Sequence, residues 1–144
     1  MWIFEYVIKI YLLIIVSIIL HETGHLLGVK LLNLKYFKLY LGKSLFVIDN
    51  EKFAFSLFCI SGSVKMDEDE LLSKNKYMIA LLFLLGPIVS LFLFILGFQL
   101  NHIVLKLVAV VYNGVGFSLN MIPIIKGTDM NHLISILKKK RISQ

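Results

Sequence analysis

The sequence predicts a membrane α-helical fold: three transmembrane core helices, with a small membrane-associated β-hairpin region between the first and second. Three observations lead there. The chain is 58% hydrophobic with a mean hydropathy of +0.85, well above soluble globular proteins. The run from residue 77 to 100 carries no charged side chain, and as a helix it would be about 36 Å long, enough to cross a bilayer core. Residues 33–64 are instead rich in Phe, Tyr, Val and Ile and are punctuated by Gly42 and Gly62, a composition that favours short strands. At 144 residues the whole chain, 1–144, reads as a single membrane-embedded domain.

The first span is expected over about residues 4–31. An apolar run there is not followed by a small-x-small cleavage site, so it reads as a retained helix. Gly24 and Gly28 form a small-xxx-small pair that would admit a second helix at close range. In the 33–64 segment, Asp49-Asn50 between two apolar runs suggests a tight hairpin turn, and two to four short strands are expected. Such strands must pair or lie against helices, because open edges cannot face lipid.

Asp67 to Glu70 suit the positive end of a helix, and Glu70 with Lys74 forms an i,i+4 pair. The second span covers 77–100 and contains Gly86-Pro87, where a kink is expected to open room at mid-membrane. The third covers 102–125 and ends at or near Pro123, leaving a short, amphipathic, basic tail over 126–144.

The net charge of +6 fits membrane topology better than nucleic-acid binding, since no basic patch is interleaved with aromatics. With three spans, the loop at 32–76 and the tail share one side, which carries most of the Lys and Arg. The positive-inside rule makes that side cytoplasmic and leaves the N-terminus outside. The expected location is a bacterial cell membrane, crossed several times. The single cysteine, Cys59, excludes an internal disulfide and a CxxC pair, and suits a buried small residue.

Within the first span, "HETGH" at residues 21–25 fits H-E-x-x-H. On a helix, His21 and His25 lie one turn apart on one face and can grip one zinc ion, with Glu22 within reach of water at the metal. Polar residues of this kind are costly inside a bilayer, about 2.5–3.5 kcal/mol for a charge at the helix centre, and they mark function. The alternative is a polar packing cluster. A catalytic zinc needs a third protein ligand and an open position. Asp129 is the first candidate by side and depth, and His132 the second. Either Thr128 or Asp129 could instead cap a tail helix. His102 falls on the opposite side of the membrane, and the acids from Asp67 to Glu70 read as a solvated helix start.

Four segments, in order, resemble the site-2 protease family of intramembrane zinc metalloproteases. "HETGH" is similar to the family's zinc and catalytic motif. "CISGSVKMDED" at 59–69 is similar to its Gly-Gly-Tyr-Val-Lys-Met-type segment. "LLGPIVS" resembles its Gly-Pro-x-x-Asn motif, and "NMIPIIKGTD" its Asn-x-x-Pro…Asp-Gly motif. The resemblance implies zinc held by His21, His25 and Asp129, and Glu22 as general base. It implies substrate contacts from Asn120, Gly62 and Lys65. Ser90 stands in place of the motif's Asn, Ser63 in place of its Tyr, and Met130 in place of the Gly after the Asp.

The activity so implied is hydrolysis of peptide bonds within or near transmembrane segments of small membrane proteins or peptide precursors, at a site open to the cytoplasm. The expected partners are a transmembrane protein or peptide substrate and the lipid bilayer, with an accessory membrane protein as a further candidate and no nucleic acid. The alternative is a catalytically inactive relative that binds a membrane partner in peptide export or immunity.

Overall fold

Three helices are long and apolar enough to cross a membrane: α1 (Trp2–Leu31), α3 (Lys76–Gly97) and α4 (Ile103–Asn120). The computed structural model describes residues 2–42, 46–56, 59 and 61–142. Parts of the predicted strand segment, at 43–45, 57–58 and 60, and the end of the predicted tail, at 143–144, lie outside the described residues. Large apolar side chains stay exposed along these helices, among them Phe4, Leu12, Phe92 and Leu107, and exposed apolar surface of this kind marks contact with a membrane or another protein.

α3 is the central helix and packs along both α1 and α4, which touch each other less. The small-xxx-small pair of α1 makes the first contact. A Cβ at Gly24 would stand 2.7 Å from the Leu85 carbonyl oxygen of α3, so glycine is what allows the backbones to meet. α1 and α4 are bridged by polar groups. The buried Asn113 donates to Ser17 Oγ at 3.2 Å, and at the far end Tyr6 Oη lies 3.1 Å from His102 Nε2.

The third span is shorter than expected. α4 ends at Asn120, and residues 121–128 form turns before α5 (Asp129–Ile142) begins. Thr128 accounts for that boundary: its hydroxyl donates toward the carbonyls of Ile122 and Ile125 and accepts from Asn131 N–H. α3 runs as one helix with Pro87 inside it.

The segment between α1 and α3 is larger than a hairpin. It holds β1 (Tyr36–Leu41), β2 (Phe46–Asp49), β3 (Phe53–Ser56) and β4 (Gly62–Met66) in one mixed sheet of order β2-β3-β1-β4. The predicted turn joins β2 to β3, where Asn50 Oδ1 accepts from the N–H groups of Lys52 and Phe53, as asparagine turns do. That hairpin docks through β3 parallel to β1, with Leu39 beside Phe53, while β4 runs antiparallel on the other flank of β1, with Leu41 opposite Gly62. β4 is therefore an edge strand. Leu41 and the fully buried Cys59 pack with Ile18 of α1, which seats the sheet on that helix.

α2 (Glu68–Ser73) is capped by Asp67, whose carboxylate accepts from the N–H groups of Asp69 and Glu70. Glu68 pairs with Lys139 of α5 at 2.6 Å, and Glu70 accepts from Lys35 N–H. Lys140 of α5 donates to the carbonyls of Leu72 and Lys74. Leu71, Leu133 and Ile136 join Val29 and Ile79 in the larger core cluster. The strand segment's following helix and the basic tail thus meet at one end of the helix bundle.

Candidate metal centre

The H-E-x-x-H segment lies on α1 within the membrane-length helix. Helical spacing brings the two imidazoles to one face, with ring centroids 5.0 Å apart and planes at 73°. Their Nε2 atoms are 3.2 Å apart. Asp129, the first residue of α5, comes up against both. Its Oδ2 is 3.3 Å from His21 Nε2, and its Oδ1 is 3.2 Å from His25 Nε2. His21, His25 and Asp129 form the cluster that could hold a metal ion among the described residues.

Spacing and electronics both test this cluster. Donor atoms on a tetrahedral zinc at about 2.0–2.1 Å are about 3.3–3.4 Å from one another, close to the separations seen. The Nδ1 of His25 lies 3.0 Å from the Leu82 carbonyl oxygen. A carbonyl only accepts, so Nδ1 carries a proton, and Nε2 faces the carboxylate across a gap that a second proton fills in the metal-free protein and a metal ion would fill in its place. Such a convergence calls for a cation at its centre. Burial alone would raise the Asp129 pKa, but its pairing with His21 and His25 outweighs that and brings it from 3.8 to about 2. The carboxylate is thus held in its ligating, ionised form. Two imidazoles and a carboxylate make a known catalytic zinc donor set, and the residues fit the metal.

Glu22 is buried on the same helix turn. Among the described residues, its Oε2 and Asp129 Oδ2 are the two buried side-chain oxygens without a hydrogen-bond partner. An unpaired buried oxygen is costly unless a ligand or water meets it. Gly62 at the start of β4 lies across Glu22: a Cβ there would stand 2.6 Å from Glu22 Oε1. On α3, a Cβ at Gly86 would stand 2.6 Å from Cε1 of His25. The glycine of the Gly-Pro pair thus makes room for the ring itself.

Two cavities reach Glu22 and Asp129 from different sides. The larger, about 550 Å³, lies between α1 and α4 and is lined by His21, Ser17, Val115, Leu119 and Asn120. The smaller, about 290 Å³, is bordered by Lys65, Glu68, Phe83 and His132. Gly62 and Asn120 line the larger cavity together with His21 and Asp129. Lys65 is exposed on the alternating β4 and borders the smaller cavity, together with Glu22, His25 and Asp129. His132, the second candidate ligand, is exposed and stacked on Phe83, with ring planes at 15°. His102 bonds Tyr6 at the opposite end of the helices.

Sequence reasoning passed over Ser90. It registers only as a departure from a motif, yet Ser90 Oγ lies 2.8 Å from His21 Nδ1. Its signal was spacing: Leu82, Gly86 and Ser90 are four residues apart and share one face of α3. Met130, another departure, packs against the larger core cluster next to Leu133 and Ile136.

No curated protein and no solved structure matches the chain in comparison. The family model described as Peptidase family M50 matches residues 9–141. With that match spanning nearly the whole chain, the protein belongs to peptidase family M50, the site-2 protease family.

Proposed function

We propose that the protein is a zinc-dependent intramembrane endopeptidase that cleaves within or near transmembrane segments of small membrane proteins or peptide precursors. One observation carries this reading: two imidazole nitrogens and a carboxylate converge beside a buried, unpartnered Glu22 oxygen. His21, His25 and Asp129 hold the metal. A zinc ion bound there supplies a Lewis acid that polarises the scissile carbonyl and makes water more acidic. Glu22 takes the proton of the attacking water as its oxygen adds to the carbonyl carbon. It then returns that proton to the leaving amine as the C–N bond breaks.

The substrate segment enters the larger cavity between α1 and α4, past the apolar Val115 and Leu119. Its unwound backbone pairs with the free edge of β4, the strand whose Gly62 lies across Glu22, since an open edge accepts an extended chain. Asn120 faces the same cavity and contacts that backbone. Water arrives through the smaller cavity, whose border includes the charged Lys65 and Glu68. The distribution of Lys and Arg supports a cytoplasmic site and an N-terminus outside.

The test compares purified wild type with Glu22→Gln on a transmembrane model peptide, with zinc measured in both. Wild type is expected to cleave and to carry near-stoichiometric zinc. Glu22→Gln is expected to keep the zinc and lose about 10²–10⁴-fold in rate. Equal cleavage by both would sink the mechanism. A folded wild type that takes up no zinc would favour a partner-binding relative.

A further inference from the structure

α3 touches both histidines at the nitrogen that faces away from Asp129. The Leu82 carbonyl takes the Nδ1 proton of His25 at 3.0 Å, and Ser90 Oγ lies 2.8 Å from Nδ1 of His21. Between them Gly86 leaves the space that the His25 ring fills. One face of one helix therefore orients two side chains of another. The two supports are unequal in kind. A backbone carbonyl can only accept, so the His25 tautomer follows from the fold. A hydroxyl can accept or donate, and only the first leaves His21 Nε2 free for a metal ion.

We propose that Ser90 is a positioning residue for the metal centre: its Oγ accepts the Nδ1 proton of His21, fixes the ring's rotation and commits Nε2 to the metal. Ser90 is buried, at 6% exposure, and lines the larger cavity beside His21. Outer hydrogen bonds of this kind orient ligating histidines and raise their basicity, and losing one costs about 10–100-fold in metal affinity. The proposal rests on the metal reading of His21, His25 and Asp129. A residue that only filled space between α1 and α3 would not depend on the hydroxyl.

The isosteric pair Ser90→Thr and Ser90→Val separates these cases, because the two differ in the hydroxyl and hardly in shape. Zinc affinity is measured on the full chain in detergent by competition with a chelator, and the metal-free melting temperature is recorded for each variant. Cobalt absorption reports the geometry of the site. Ser90→Thr is expected to bind zinc within a few-fold of wild type. Ser90→Val is expected to bind about 10–100-fold more weakly and to alter the cobalt spectrum, at a metal-free melting temperature matching that of Ser90→Thr. Equal zinc affinity in the two variants, whether retained or lost, would overturn the role of Ser90 while leaving the metal reading intact. Failure of wild type to take up zinc would overturn both.

Discussion

The Nε2 atom of His25 lies 3.2 Å from Oδ1 of Asp129, so the first helix and the last meet at a polar contact. The contact has a consequence for pH. Asp129 has its pKa lowered from 3.8 to about 2: burial opposes the shift, and pairing with His21 and His25 overcomes it. A depressed carboxylate stabilises the fold above its unfolded pKa, and that stabilisation is lost as pH falls through the folded value. In metal-free protein the contribution, roughly 2 kcal/mol, should be fully present above about pH 4 and vanish toward pH 2. Melting curves of wild type and Asp129→Asn across this range should converge at the acid end. Curves that stay parallel would refute the pairing.

Gly62 and Glu22 give a second prediction. A methyl group at residue 62 would overlap the Glu22 carboxylate, and displacing a catalytic group by about 1 Å costs on the order of 100-fold. Gly62→Ala should therefore lose most of its cleavage rate while retaining zinc, because the atoms nearest the added methyl belong to Glu22. Zinc loss in parallel with activity would show that β4 supports the metal instead.

Gly86→Ala should act on the metal. Its Cβ would press on the ring of His25, and overpacking a filled site costs about 1–3 kcal/mol. A lower melting temperature and substoichiometric zinc are expected together. Full zinc occupancy with unchanged stability would mean that α3 and α1 sit further apart than described.

Asn113 and Ser17 hold α1 to α4 at the head of the larger cavity. Asn113→Leu removes that bridge. Polar bridges between membrane helices average about 0.6 kcal/mol and reach about 1.7 kcal/mol, so a small but measurable loss of thermal stability in detergent is expected, without change in zinc content. Stability equal to wild type would leave the bridge without energetic weight.

Much of this protein is legible along the chain. The apolar runs placed three membrane-length helices to within a few residues, because a span is defined by length and lack of charge. The turn at Asn50, the acidic start of α2, and His21, Glu22 and His25 were likewise local patterns. The end of α4 was not, since its boundary depends on Thr128 bonding back to Ile122 and Ile125. Nor was the mixed sheet, whose parallel β1–β3 pairing joins strands that are not neighbours in the chain.

The sequence by itself determined that two imidazoles share a helix face, because i and i+4 always do. It did not choose between Asp129 and His132 on spacing alone, as both lie in the same tail. The tertiary structure decides where each side chain points: α5 begins at Asp129 and turns its carboxylate toward both Nε2 atoms, whereas His132 stacks outward on Phe83. It likewise turned Ser90 from a departure into a partner of His21, and set Lys65 away from the larger cavity. The physical reason is the same in each case. Helical and strand periodicity fixes which residues share a face, but only packing between elements fixes what that face meets.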